Sequence, residues 1–351
     1  MEGPRDNADV CTPRSMRESV ATDVPVDAPW QEIPALRPID SPLRQVSLLI
    51  FRSLAAHSTE RELTPLFEHL RGRSGKMLRP ALVLLAGRCF GPLTEEHIHV
   101  AATMEMIHHA TLLHDDVIDD GCKRRGVPTA NCLWGNESAV LLGDFVLSRV
   151  FRMVADLNPA VADVIAQTAV RVCEGELRQA LQRRNWQLTE AQYLDIITEK
   201  SASFFSGCCR LGALLAHATP EQIEALARFG LHAGVAFQIT DDLLDVTGDE
   251  NTTGKTAQSD LAQHKVTLAV IHLLQAANAS DRADVRALLE TPDTSHDRLA
   301  EVLTRYGSLQ YARERAAQYV AQAAENLAVL PAGPARDTLL ELARFMVHRT
   351  A

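Results

Sequence analysis

Aromatic residues are scarce in this chain. They make up 5% of its 351 residues, although 46% of all residues are apolar. Ala and Leu carry most of the apolar content, and β-branched runs are few and short. That composition disfavours a sheet and favours helices packed on helices. No apolar run reaches the ~18 residues of a spanning helix, so no transmembrane segment is expected. A positive excess is also missing. The chain has 35 Lys and Arg against 45 Asp and Glu, a formal net charge of −10, and no basic stripe. Nucleic acid is therefore not an expected partner, and an anionic substrate has to meet local cations or a metal. The seven cysteines (Cys11, Cys89, Cys122, Cys132, Cys173, Cys208 and Cys209) form no CxxC pair. An odd count in a long chain reads as free thiols in a reducing cytoplasm, and Cys122 with Cys132 lacks the partner spacing of a zinc site.

The length suits one large domain or two ordinary ones. Residues 1–40 carry Pro4, Pro13, Pro25, Pro29, Pro34 and Pro38 among scattered charges. They lack the apolar run of a signal peptide and are too acidic for a transit peptide. A disordered or loosely packed extension is expected there. Residues 41–351 read as a single all-α domain of a dozen or so helices. Leu43, Val46, Leu49, Ile50 and Leu54 recur at helical spacing. Pro80 suits the first turn of a helix reaching Cys89, and Thr94 with Glu95 and Glu96 resembles a helix start. A loop is expected over 121–131 and further helices over 143–155, 160–183 and 189–215, and Pro220 opens another. A polar loop follows over 248–256. Two or three amphipathic helices close the chain, with breaks near Pro292, Gly307 and 331–333.

What the chain does have is an acidic pentapeptide present twice. Asp115-Asp116-Val117-Ile118-Asp119 and Asp241-Asp242-Leu243-Leu244-Asp245 each follow an apolar run. On a helix, i and i+4 share a face, so Asp115 stacks over Asp119 and Asp241 over Asp245. Two carboxylates roughly 6 Å apart repel by about 3 kcal/mol at an effective dielectric of 20. A single copy is readily a solvated helix end. Two copies in apolar flanks call for a counter-charge, with a divalent metal the natural candidate and a phosphate-bearing ligand the natural companion. Lys76 and Arg79 flank a loop-to-helix junction, where backbone N–H groups and two cations form an anion site, unless the loop is simply solvated. Arg124 and Arg125 follow the first acidic cluster and match phosphate geometry. Lys200, Lys255 and Lys265 are isolated cations that read alone as surface lysines. A di-iron reading of Glu105-x-x-His108 and Glu96-x-x-His99 fails because both units fall on one helix. His108 lies two helical turns before Asp115, on the motif's face.

Together these residues resemble the trans-polyprenyl diphosphate synthase family (polyprenyl synthetases), long-chain type. The resemblance spans residues 41–349 through GKMLRP (75–80), EMIHHATLLHDDVIDDGCKRRGVPT (105–129), GDFVLSRVF (143–151), EGEL (174–177), EKSASFF (199–205), FQITDDLLD (237–245) and TGKTAQSDLAQHKVTL (253–268). It implies an all-α, isoprenoid-synthase-type helical bundle around a deep central cavity, usually a homodimer. The implied reaction adds isopentenyl diphosphate head-to-tail to an allylic diphosphate. By the resemblance, Asp115, Asp119, Asp241 and Asp245 hold two or three Mg²⁺ ions per site. Arg124 contacts the allylic diphosphate. Lys76, Arg79, His108 and Arg125 bind isopentenyl diphosphate. Lys200, Ser201 and Gln238 line the allylic site, with Lys255 and Lys265 near its phosphates.

Such chemistry breaks an allylic C–O bond, and preplaced cations lower that barrier by neutralising the departing pyrophosphate. Ala110 lies about 7.5 Å below Asp115 along the helix. Ala110 and Thr111 lack the bulky aromatics that stop growth in short-chain members, and Ile107 with Met104 lies deeper as a floor, so a long-chain product is expected. The resemblance is imperfect. Ser201 stands where the family usually has Thr, His109 also for Thr, His264 for Gly and Ala269 for Pro; the last two bear on the Lys255 and Lys265 assignments. A geranylgeranyl or other shorter-chain synthase is the alternative enzyme. A regulatory subunit of a heteromeric synthase is the non-enzymatic one.

Overall fold

Helix boundaries follow the local chemistry of the sequence closely. The computed structural model describes residues 28–54, 63–71, 75–124, 126–247, 263–290 and 296–348. Its helices are α1 (Asp40–Ser53), α2 (Thr64–Arg71), α3 (Leu78–Arg88), α4 (Glu95–Ile118), α5 (Ala130–Val154), α6 (Pro159–Leu181), α7 (Glu190–Ile197), α8 (Ser203–Leu215) and α9 (Pro220–Thr247). They continue as α10 (Leu268–Ala276), α11 (Ala279–Glu290), α12 (His296–Arg305), α13 (Ser308–Asn326) and α14 (Pro334–Val347). Pro159, Pro220 and Pro334 each sit at a helix start, where a missing N–H costs nothing. Thr94 caps α4: His97 Nδ1 accepts from the Thr94 N–H at 3.2 Å and pairs with its hydroxyl at 2.8 Å.

Three expectations are corrected. The chain closes with five helices after residue 263, because Asn278 caps an additional start by accepting from the Asp281 N–H at 2.9 Å. The loop expected over 121–131 contains a small antiparallel hairpin, β1 (Lys123–Arg124) and β2 (Val127–Pro128). The loosely packed stretch cannot extend to residue 40. Two 3₁₀ turns, Pro29–Glu32 and Pro34–Ile39, bury Trp30, Ile33, Leu36 and Ile39 in the main core. These four recur every third residue, the period of a 3₁₀ helix, so they form one stripe, and their prolines are tolerated in such short turns. Residues 1–27 lie outside the described part.

Two apolar cores share α9. The larger contains fully buried Leu82, Leu84 and Leu85 from α3, Met104 and Met106 from α4, Phe205 from α8 and Phe229 from α9. The other joins Ile197 and Ile239 to Leu268, Leu273, Leu303 and Ala316. Helices α3 and α8 approach so closely that a Cβ on Gly212 would lie 2.1 Å from the Val83 carbonyl oxygen. Only glycine permits that contact. No described helix is long and apolar enough to cross a membrane.

Candidate active site

Both acidic pentapeptides stand at the carboxyl ends of long helices. Helix α4 has 24 residues and ends at Ile118, with Asp119 as its cap. Helix α9 has 28 and ends at Thr247, just past Asp245. The Asp119 N–H still donates to the Asp115 carbonyl at 2.8 Å, which keeps these two side chains on one face. Helix carbonyls already concentrate negative charge at these ends. Adding carboxylates there is unfavourable unless cations answer them.

The middle aspartates are structural. Asp116, buried, accepts from Nε and Nη2 of Arg124 through one oxygen, both at 2.7 Å. Asp242, also buried, accepts from the Tyr193 hydroxyl at 2.6 Å and from Gln238 Nε2 at 2.7 Å. The outer aspartates Asp115, Asp119, Asp241 and Asp245 keep partial exposure. Arg124 therefore projects from the hairpin in an orientation fixed by the first motif.

A π-helical turn, Thr198–Ala202, places Lys200 where its charge acts on Asp115 and Ser201 where it reaches the second motif through Gln238. Its Lys200 Nζ lies 2.5 Å from Glu176 and donates to Gln179 at 2.7 Å, both on α6. Ser201 Oγ donates to Gln238 Oε1 at 2.6 Å, and Gln238 passes the link to Asp242. The hydroxyl that serine shares with the family's usual threonine is the part in use. Gly175 makes this geometry possible: a Cβ there would lie 2.2 Å from the Lys200 backbone nitrogen. Burial pushes the Asp115 carboxyl up to about 6, against a pull downward from Lys200 and Arg124 and a push upward from Glu176 and Asp119.

Asp119 is met by two cations. Lys265 Nζ reaches Oδ2 and Arg183 Nη2 reaches Oδ1, each at 2.9 Å. Lys265 holds this position although His264 precedes it. His264 adopts a left-handed conformation with φ of 56°, which glycine takes without cost and histidine tolerates. Arg184 Nη2 donates to His264 Nε2 at 2.9 Å, so Nδ1 carries the proton, 3.2 Å from the Leu289 carbonyl. Ala269 falls in the first turn of α10, where the usual proline loses no hydrogen bond and alanine none either.

On the other side, Arg79 stacks over Phe204 and Phe205, its guanidinium carbon 5.0 and 5.3 Å from their centroids. His108 lies 6.4 Å from the same Phe204 ring. Arg79 and His108 thus share one aromatic wall, and Lys76 is exposed on the loop before them. Arg125 and Lys255 lie outside the described residues. Below Asp115, Met104 and Ala110 are fully enclosed and Ile107 nearly so, while Thr111 is half-buried. Both Glu-x-x-His units lie on α4 and cannot face each other.

The cysteine reading is corrected. Cys122 and Cys132 form a disulfide that closes the hairpin, because the turn brings their Cα atoms to 5.5 Å. Cys89, Cys173, Cys208 and Cys209 are free thiols. Sequence reading passed over Arg183, Gln263 and Tyr193. The adjacent Arg183-Arg184 pair after the EGEL helix was the available signal for the first.

The donor chemistry fits Mg²⁺. Asp115, Asp119, Asp241 and Asp245 offer only carboxylate oxygens, the hard ligands it prefers. Burial disfavours the Asp115 anion, a cost that a bound divalent cation would offset. Among the described residues no three carboxylate, His or Cys side chains converge closely enough to hold a metal by themselves.

Known proteins resemble this chain along most of its length. The polyprenyl synthetase family model matches residues 60–306. Octaprenyl diphosphate synthase of Escherichia coli (strain K12) is 36% identical over 278 residues, 78% of this chain and 86% of that protein. A short chain isoprenyl diphosphate synthase of Methanothermobacter thermautotrophicus is 35% identical over 288 residues, 80% of this chain and 89% of that one. The crystal structure of a Caulobacter crescentus polyprenyl synthase, complexed with calcium and isoprenyl diphosphate, superposes with a TM-score of 0.85 at 33% identity, covering 90% of this chain and 97% of that one. The chain belongs to the polyprenyl synthetase family of trans-prenyltransferases.

Proposed function

We propose that this enzyme adds isopentenyl diphosphate head-to-tail to an allylic diphosphate and releases a long-chain polyprenyl diphosphate. The observation that carries the reading is Arg124 clamped onto Asp116 of the first motif, with Lys200 acting electrostatically on Asp115 and Ser201 reaching Asp242 of the second motif through Gln238. Asp115, Asp119, Asp241 and Asp245 would hold two or three Mg²⁺ ions, which when bound neutralise the charge of the departing pyrophosphate. Arg124, Lys200 and Lys265 orient that diphosphate, and the family resemblance assigns Lys255 the same role. Ser201 and Gln238 hold the wall next to it. Lys76, Arg79 and His108 receive isopentenyl diphosphate, Arg79 and His108 from beside Phe204, and the family resemblance adds Arg125 to that set. The allylic cation and the isopentenyl double bond then meet between two prefixed groups of positive charge, so little reorganisation remains at the moment of bond breaking. With an allylic primer and Mg²⁺, purified protein is expected to incorporate radiolabelled isopentenyl diphosphate. No incorporation with any primer favours the regulatory-subunit reading.

The long product rests on the small side chains of Ala110 and Thr111 and is supported by the octaprenyl-synthesising relative. The short-chain relative is nearly as similar, so side-chain size has to decide. Ala110→Phe is expected to shorten the product and Met104→Ala to lengthen it, both read by chromatography of dephosphorylated products. Unchanged lengths in two variants that melt normally reject this assignment.

A homodimer is part of the proposal. Leu133, Leu141 and Phe151 on α5, and Val170, Leu177 and Leu181 on α6, leave large apolar side chains in water. Sedimentation equilibrium tests it, and a monomer at assay concentration refutes it. We assign the enzyme to the cytoplasm; protein alkylated at lysis reports whether the Cys122–Cys132 bridge exists there.

A further inference from the structure

Both oxygens of the Asp119 carboxylate are held by cations. Arg183 takes Oδ1 and Lys265 takes Oδ2. Two positive charges share one negative charge, which leaves a local surplus of cation inside an otherwise acidic cluster. The two are not equally placed. The Lys265 side chain is 8% exposed and that of Arg183 is 29%. Arg183 also stands beyond the end of α6, in the turn closed by Arg184 with φ of 62°, so its side chain moves without disturbing a helix. A second acceptor is already in place, because Arg183 Nη2 also donates to Gln263 Oε1 at 3.1 Å. Gln263 in turn donates to the Asp119 backbone carbonyl. Finally, Arg183 Nε is buried and has no hydrogen-bond partner among the described residues. A guanidinium with a spare inward donor is built for bidentate contact with a phosphate.

We propose that Arg183 is a diphosphate-binding residue that also guards Asp119, releasing it to a divalent cation only when a diphosphate oxygen is there to take the guanidinium. The inference rests on the reading of Asp119 as a metal ligand. A divalent cation arriving alone has to displace Arg183 and then sits against two like charges. With diphosphate present, Arg183 exchanges one anionic partner for another, and the like-charge penalty disappears. Metal and diphosphate therefore bind with positive coupling, and Arg183 carries part of it.

Titration calorimetry on the full-length protein tests this with two ligands. Mn²⁺ is titrated alone, and inorganic pyrophosphate is titrated in saturating Mg²⁺. Arg183→Met is expected to bind Mn²⁺ alone at least threefold more tightly and Mg²⁺–pyrophosphate at least tenfold more weakly. Arg183→Lys, which keeps the charge but loses the fork, is expected to recover only part of the pyrophosphate affinity. If both affinities in Arg183→Met stay within twofold of the parent, Arg183 is a surface ion pair and the proposal is overturned. If both fall together, Arg183 supports the site structurally and the proposal is equally overturned. Asp119→Ala separates this failure from the larger one. If it binds metal and pyrophosphate normally, the metal-ligand reading itself is wrong; if it loses them while Arg183→Met does not, only the guard is wrong.

Discussion

Replacing Gly175 by alanine puts a methyl group where the backbone of the π turn already stands. The added carbon would lie 2.2 Å from the Lys200 nitrogen, 2.6 Å from its Cα and 2.8 Å from the Glu199 carbonyl carbon. Ordinary contact needs about 3.4 Å, so α6 and the turn must part by about 1 Å. All three atoms are backbone, and no rotamer change relieves the clash. Overpacking of this kind costs about 1–3 kcal/mol, or about 2–10 °C in melting temperature for a chain of this size. The functional effect is expected to exceed the stability effect. Glu176 and Gln179, which hold Lys200 at 2.5 and 2.7 Å, follow Gly175 on the same helix, so any separation pulls Lys200 from both. We expect kcat/KM for the allylic substrate to fall about tenfold or more, as the loss of one charge-assisted contact predicts. Gly121→Ala is the control. It adds a carbon just as near the first motif but meets nothing closer than 3.6 Å, and it is expected to be neutral. If Gly175→Ala melts like the parent and keeps its kcat/KM, the close approach does not position Lys200 and the argument fails.

Two further expectations concern the first motif and the hairpin. The Asp115 carboxyl titrates at about 6 in the fold against 3.8 as its ordinary value, so the folded state holds the proton more tightly than the unfolded chain. Stability must then fall as pH rises from 3.8 to 6 and stay reduced above, by up to about 3 kcal/mol for two units. In chelator, Asp115→Asn is expected to melt above the parent at pH 8 and level with it at the acid end, while losing activity; equal melting at pH 8 would falsify the burial argument. Reducing Cys122–Cys132 opens a loop of ten-residue separation, worth about 3 kcal/mol by chain entropy, and frees the hairpin that carries Arg124. A lower melting temperature and a raised KM for the allylic substrate are expected with dithiothreitol, with two additional thiols in a colorimetric count. An unchanged count means the bridge does not form.

Legibility in the sequence depended on whether a signal was local. The pairing of Asp115 with Asp119 follows from helical spacing alone, and the start at Pro220 from proline's place in a first turn. The different work of the middle aspartates does not, because Arg124, Tyr193 and Gln238 reach Asp116 and Asp242 across tertiary space. Lys200 looked like a lone surface lysine for the same reason, since its turn is shaped by a glycine 25 positions earlier on another helix. Arg183 belongs to no periodic segment, and only the folded chain brings it to Asp119. The Trp30 stripe was visible, with apolar residues at every third position, but the prolines around it argued for disorder more loudly than the period argued for packing.

That stripe has a consequence for how the protein is made. The Pro34–Ile39 turn packs on α1, α3 and α14, and Trp30 Nε1 ties the preceding turn to Asp40 at 3.1 Å. Leu339, Leu342, Ala343 and Met346 of α14 complete the core in which Trp30, Ile33 and Leu36 are buried. A segment translated early thus waits for one translated about 300 residues later, roughly 15–60 s at ordinary ribosome speeds. During that interval α3, which bears Arg79, lacks part of its backing. A nascent chain stopped before α14 should expose this apolar seam to chaperones, and Trp30 fluorescence on the ribosome would report the moment of closure.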